Sequence, residues 1–283
     1  MTILNSSEKN FYAENGYLIL NNFIAKNVCD NLMTRANFLV ENFEPSSFKT
    51  VFNTKDQRHA KHAYFLESGS KIHFFFEDGA LDSAGNLKYE KRFCINKIGH
   101  ALHELDSIFQ SFSYSEKIHQ LTEDLEIANP LMIQSMYIYK QPRIGGEVTC
   151  HQDSTYLYAK NHPVVGFWFA LEDATLENGC LWAIPGGHTS PLKSRLVKSS
   201  SQKTSVEIYD STPWNIDKMI PLEVPRGSLI ILHGLLPHMS KENTSDKSRH
   251  AFSLHVISGN DEYPVDNWLQ RPAHMPFKNF KIV

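Results

Sequence analysis

From Pro130 onward the chain is punctuated in the manner of a β-rich core. The runs IQSMYIYK, VVGFWFALED, CLWAIPG, GSLIILHG and RHAFSLHVIS are short, β-branched and aromatic, and Gly, Pro, Asn and Asp separate them. Repeated short runs of this kind, broken by turn formers, read as strands of a sandwich or barrel. The N-terminal third is mixed. SSEKNFYAEN reads as a capped helix from Ser7 onward, stopped by Asn15-Gly16, with a short strand at Tyr17–Leu20 behind it. AKNVCDNLMTRANFLVENF carries Val28, Leu32, Ala36, Phe38 and Leu39 near helical spacing. KIHFFFE reads as an aromatic strand, and GHALHELDSIFQSFSYSEKIHQLTEDL as one or two amphipathic helices.

No internal repeat or linker divides these parts, and 283 residues suffice for one large core. The expectation is a single domain, mainly β with flanking α-helices, helix-rich over about 1–129 and with its β core over about 130–260. The polar segment from Ser190 to Ile220, with SSSQKTS inside it, is long for a connection and reads as an unstructured lid. A net charge of −3 leaves no basic stripe for nucleic acid. No stretch approaches the roughly 20 apolar residues of a membrane span. MTILNSSEKNFY has no basic region followed by an apolar run, so the cytoplasm is the default location. Cys29, Cys94, Cys150 and Cys180 form no CxxC and read as buried free thiols.

The chemistry begins at TCHQDSTYLY, where His151 and Asp153 stand two residues apart. In an extended chain such residues share a face. That suits a metal ion, and it equally suits a plain His–Asp hydrogen bond. Past the polar segment, LIILHGLLPHMSKENTSDKSRHAFSLHV supplies His233, His238, His250 and His255. A strand ending in His233 turns through Gly234 and Pro237 toward His238, with Ser240 two residues on and Arg249 opening the next strand. Two imidazoles and a carboxylate suit divalent iron as a facial triad with open positions. A guanidinium fork binds a carboxylate bidentately, as the distal end of a 2-oxo diacid requires, and the Ser240 hydroxyl could join it. On spacing alone, His233 competes with His238 as the distant ligand.

INKIGHALH, QSMYIYKQP, GGEVTCHQD, EDATLENGCLW, IPGGHTS and NTSDKSR carry a further signal. With them the chain, from FYAENGYLIL to NWLQ, resembles the phytanoyl-CoA dioxygenase family of Fe(II)/2-oxoglutarate oxygenases. The resemblance implies a double-stranded β-helix, a jelly roll related to the cupins. It implies iron ligands His151, Asp153 and His238, with Arg249 and Ser240 on the C5 carboxylate of 2-oxoglutarate. It puts Lys97, Met136 and Trp168 in the cosubstrate pocket. His238, Ser240 and Asn243 fit the family pattern H-x-S-x-x-N, and His233 falls outside it. The implied reaction consumes O2 and converts 2-oxoglutarate to succinate and CO2 while hydroxylating a small molecule, with ascorbate as a stimulant.

The family name suggests an acyl or acyl-CoA substrate, yet no Gly-rich phosphate loop or Lys/Arg cluster singles out CoA. His59, Lys61 and His62 read as a solvated loop. Two rivals remain, a non-catalytic metal-binding jelly roll and a metal-dependent hydrolase. Neither has a use for Arg249. Other residues read blandly. His100 and His103, one helical turn apart, read as helix surface or pocket wall, and HALHE is not the HExxH of zinc peptidases. Cys150 points away from His151 as a core thiol, Asn178-Gly179 is a turn, and Gly145-Gly146 a bend near the pocket mouth.

Overall fold

The N-terminal helix α1 (Ser6–Asn15) starts where its donors are satisfied: Asn5 accepts the Glu8 N–H, and the Glu8 carboxylate takes the Asn5 N–H. Gly16 ends it at φ +75, a left-handed conformation glycine adopts without strain. The computed structural model describes residues 2–45, 51–52, 63–199 and 203–280, so His59, Lys61 and His62 lie outside the described residues. Strand β1 (Tyr17–Leu20) leads to α2 (Lys26–Glu41), which buries Cys29, Leu32, Ala36 and Val40. That face is turned from the expected one, and Phe38 stands 49% exposed. Then come β2 (Val51–Phe52), α3 (Ala63–Glu67), β3 (Ile72–Glu77) and β4 (Ile95–His100). Three helices follow, α4 (Leu102–Leu105), α5 (Ser107–Ser113) and α6 (Glu116–Asp124), where one or two were expected. The helical reading also began too early, because β4 claims Gly99 and His100.

The remaining strands are β5 (Pro130–Ile138), β6 (Val148–His151), β7 (Val165–Ala170), β8 (Leu181–Ala183), β9 (Ser194–Lys198), β10 (Thr204–Ile208), β11 (Ile220–Leu222), β12 (Leu229–His233), β13 (His238–Ser240), β14 (Ala251–Ser258) and β15 (Lys278–Asn279). The large sheet runs β1-β12-β7-β14-β5-β4-β3-β2, with β15 also on β5. A smaller sheet runs β11-β8-β13-β6. Together they form a double-stranded β-helix with helices on one side. Strands β1 to β4 belong to the large sheet, so the helix-rich N-terminal part also contributes strands to it.

Alternation along the central strands separates two environments. On β7 and β14, Phe167, Phe169, Phe252 and Leu254 pack with Leu32, Ala36, Phe109 and Leu121 of the helical layer. Their neighbours in sequence, Gly166, Trp168, Ser253 and His255, line a cavity instead. Polar side chains on the second face of strands with no exposed residue point to a use other than packing.

The segment from 190 to 220 corrects a further expectation. It is a two-stranded ribbon, β9 paired with β10, followed by a short 3-10 turn at Ile216–Lys218. Among the described residues, none of this segment lines the cavity. It anchors Gln152 instead: Gln152 Nε2 donates to Pro191 O (3.3 Å) and Leu235 O (2.9 Å), while Oε1 accepts the Lys193 N–H (3.0 Å). Cys29, Cys94 and Cys180 are buried free thiols, whereas Cys150 is only half-buried. Among the described residues no helix is long and apolar enough to cross a membrane.

Candidate metal and cosubstrate site

Strands β6 and β13 place His151 directly opposite His238. Opposed residues of an antiparallel pair project from one face, and the two ring centroids stand 4.3 Å apart. Gln152 continues the extended backbone (φ −110, ψ 135), so Asp153 arrives on the same side at the head of a 3-10 turn. Its Oδ1 lies 3.6 Å from Nε2 of His151 and 3.6 Å from Nε2 of His238. One ligand atom from each residue falls within a 4.8 Å cluster. Metal–ligand bonds of about 2.1 Å put adjacent ligands roughly 3 Å apart, so a small contraction suffices.

The backbone fixes which nitrogen faces the centre. His151 Nδ1–H donates to Thr149 O (2.8 Å), and His238 Nδ1–H donates to Leu236 O (2.9 Å). A carbonyl only accepts, so in the neutral ring the proton sits on Nδ1 and the Nε2 lone pair is left inward. Burial pushes the His238 imidazole down to about 4, which keeps it neutral at pH 7. Burial alone would raise the Asp153 carboxyl, but the imidazoles of His238, His255 and His151 gathered around it outweigh burial and hold it well below the usual carboxylate range. Two imidazoles and one carboxylate fit a ferrous ion.

These three residues open onto a cavity of about 170 Å³ that both sheets line. From β5 it receives Gln134, Met136 and Ile138, from β7 Gly166 and Trp168, from β14 Ser253 and His255, and from β4 Asn96, Lys97 and His100. Just beyond the strand ends, the Arg249 N–H donates to Lys140 O (3.3 Å), extending the β5–β14 ladder so that both side chains enter the same space. Lys97, Met136, Trp168, Ser240 and Arg249 therefore share one cavity with His151, Asp153 and His238. Arg249 is 2% exposed, and its guanidinium lies 5.1 Å from the Trp168 ring centroid. Nε donates to Gly179 O (3.2 Å), while Nη1 has no hydrogen-bond partner. Burial lowers its pKa to about 10, so it stays charged at neutral pH. Lys97 Nζ lies 3.9 Å from Met136 Sδ, and burial pushes it well below the ordinary lysine range. The unpartnered Arg249 Nη1 is a buried donor without an acceptor, which is unfavourable until a partner is supplied.

Sequence reasoning passed over two residues here. His255 Nε2 lies 3.4 Å from Asp153 Oδ2, the oxygen turned away from the imidazole pair. Gly166, opposite His255 in the register, makes room for that contact: a Cβ there would sit 3.1 Å from Asp153 Oδ2 and 3.6 Å from His255 Nε2. Lys140 is the other, with Nζ donating to Ser240 Oγ (2.8 Å). Period-2 parity counted out from Met136 and Arg249 would have reached both. His100 and His103 are both buried rather than on a helix surface. Only His100 lines the cavity, held by Ser68 Oγ at 2.7 Å from its Nδ1, whereas His103 Nδ1 meets Ser135 Oγ at 2.7 Å. His233 stands apart, 4.9 Å from the His188 ring, and does not line the cavity. Asn243 braces the wall by donating to Lys140 O (3.0 Å) and Lys247 O (2.7 Å). Gly179 does occupy a turn, at φ +83, and Gly146 lines the cavity.

Comparison with known proteins gives a consistent answer. The profile of the Phytanoyl-CoA dioxygenase (PhyH) family matches residues 12–251. "Phytanoyl-CoA dioxygenase" of Arabidopsis thaliana is 43% identical over 274 residues, covering 96% of this chain and 95% of that protein. "Phytanoyl-CoA dioxygenase domain-containing protein 1" of Mus musculus is 40% identical over 286 residues, 98% of each. Among solved structures, the non-heme alpha ketoglutarate dependent carbocyclase SnoK superposes with a TM-score of 0.66 at 14% identity, over 97% of this chain and 96% of that one. EctD from S. alaskensis with bound Fe superposes with 0.64 at 14%, over 97% and 84%. At such identities the structural likeness establishes the fold, and the close sequence relatives establish kinship: the chain belongs to the phytanoyl-CoA dioxygenase family of non-haem iron, 2-oxoglutarate-dependent dioxygenases.

Proposed function

We propose that the protein is an Fe(II)- and 2-oxoglutarate-dependent hydroxylase of a small molecule. In this reading His151 and His238 hold iron through Nε2 and Asp153 through Oδ1. Arg249 and Ser240 take the C5 carboxylate of 2-oxoglutarate, and Lys97, Met136 and Trp168 shape its pocket. One observation carries the reading: a buried guanidinium with an unpartnered Nη1 lines the same cavity as the His–Asp–His cluster. A metal store or a metal hydrolase has no use for it.

Bound iron would supply the oxygen chemistry, coupling decarboxylation of the oxo acid to succinate and CO2 with insertion of a hydroxyl group into a C–H bond. The protein's share is to bind, orient and exclude water. Trp168 offers its ring face to the guanidinium, a cation–π contact that helps hold the charge in place. Met136 and Trp168 keep the anion site dry, which strengthens each charge contact. Lys97 adds positive charge on the β4 side. The apolar wall of Phe65, Tyr156, Leu157 and Trp268 suits an acyl chain, the substrate class the family name suggests. The free cysteines suit a reducing compartment such as the cytoplasm.

The test is stoichiometric. Iron-loaded protein is expected to convert 2-oxoglutarate to succinate only when O2 is admitted, with ascorbate sustaining turnover. Incubation with a metabolite extract should reveal one compound that gains a single oxygen atom. Wild-type succinate formation by Asp153→Ala would overturn the ligand assignment.

A further inference from the structure

Lys140 plays no part in the reading above, yet it is the most unusual cation in the cavity. It is 2% exposed, and its backbone adopts φ +40, uncommon for a residue with a side chain. Two hydrogen bonds hold that backbone, the Arg249 N–H and Asn243 Nδ2 both donating to Lys140 O. The side chain runs past Gly179, where a Cβ would come within 2.6 Å of Lys140 Cε. Nζ then donates to Gly146 O (2.6 Å) and Ser240 Oγ (2.8 Å). Among the described residues no carboxylate oxygen lies within 4 Å of it. A buried ammonium with no carboxylate in direct contact is unfavourable, and an anion arriving from outside would offset that cost.

The hydrogen-bond geometry says which anion contact it serves. Ser240 Oγ accepts from Lys140, so its own O–H is free to be given elsewhere, and Ser240 lines the cavity. We propose that Lys140 is a positioning residue for the cosubstrate, turning the Ser240 hydroxyl into a donor for the distal carboxylate and adding positive charge beside Arg249. The inference rests on the 2-oxoglutarate reading above. The charges facing Lys140 are Arg249 across the ladder, Glu77 on β3, Glu147 before β6 and Glu242 after β13. Burial and then Arg249 lower its pKa to about 7, against the pull of those carboxylates. A bound dianion would restore the charged form.

The experiment measures 2-oxoglutarate affinity by calorimetry with Mn(II) in place of iron, so that nothing turns over. Lys140→Met is expected to weaken binding about tenfold or more, the worth of a charge-assisted hydrogen bond, with Mn(II) affinity unchanged. Lys140→Gln, which keeps a donor for Ser240 but no charge, should recover part of the loss. Ser240→Ala should cost little further when added to Lys140→Met, because the two act as one unit. Between pH 6.5 and 8.5, wild-type affinity should fall more steeply than that of either Lys140 variant. Unchanged affinity in both Lys140 variants, or fully additive losses with Ser240→Ala, would overturn the inference alone. Failure of the wild type to bind 2-oxoglutarate would overturn the proposed function and this inference with it.

Discussion

At the end formed by β6 and β13, the cavity gathers lone pairs: Nε2 of His151, Nε2 of His238 and an oxygen of Asp153. At the end formed by β4, β5 and β14 it gathers donors, with Lys97, Lys140 and Arg249 buried together. Among the described residues, neither Lys140 nor Arg249 has a carboxylate oxygen within 4 Å. The first end is arranged for a cation, the second for an anion. A protein that only stored a metal would need the first alone. Both ends within one cavity ask for a ligand that is a chelator at one tip and a carboxylate at the other, which describes a 2-oxo diacid.

The comparison is broken most severely by removing the carboxylate of the metal end. Asp153→Ala should lose iron binding and lower succinate formation by at least about 10³-fold, since a bound metal contributes several kcal/mol to such chemistry. Titration with Fe(II) and a succinate assay check both effects. The next largest effect belongs to the other end. Arg249→Met should weaken 2-oxoglutarate binding roughly 10- to 100-fold, the range for hydrogen bonds to a charged group, while iron affinity stays put. A loss of iron in that variant would show that the two ends are not independent.

What was legible in the sequence follows the same division. HxD, the distant His238 and Arg249 lie on short linear stretches whose spacing survives without knowledge of the fold, and they meet in one cavity. Lys140 and His255 were only half legible: parity puts them on the cavity face, but their contacts depend on which strand pairs with which. Lys140 enters the cavity only because Arg249 extends the β5–β14 ladder, and His255 reaches Asp153 only across Gly166. The β9–β10 ribbon was missed for a different reason. Val206 and Ile208 of β10 are exposed, so no buried face imprints alternation on the sequence. The helical reading ran back over His100 because helix-like spacing through HALHE continues from the end of β4, although the pocket-wall alternative for His100 held.

A gentler change at the metal end tests how tightly Asp153 is held. Gly166→Ala would put a methyl group 3.1 Å from Asp153 Oδ2, closer than ordinary van der Waals contact allows. The carboxylate must give way, and orientation of a metal ligand is worth about 10- to 100-fold in affinity. The expected loss is about tenfold in iron affinity with 2-oxoglutarate contacts to Arg249 preserved. Equal iron affinity in variant and wild type would mean that Asp153 has slack its packing does not suggest.

The smallest effect concerns stability without ligand, and its sign is opposite to the loss of binding. Lys140 titrates near 10.4 in an unfolded chain and at about 7 when folded, chiefly through burial. Between those values the unfolded chain holds more protons, so stability rises with pH across that window. Below pH 7 the buried charge is present in full, and Lys140→Met, which removes it, should there be the more stable protein by about 1–4 kcal/mol. As the pH climbs toward 10 the wild-type lysine folds as the neutral amine and the gap should close. The methionine also deserts Gly146 O and Ser240 Oγ, but that loss is constant with pH, so the slope isolates the charge. Urea melts of the metal-free proteins from pH 6.5 to 9.5 measure it. A gap that did not change with pH would show that packing around Lys140, rather than a charge awaiting its anion, sets the behaviour of that end of the cavity.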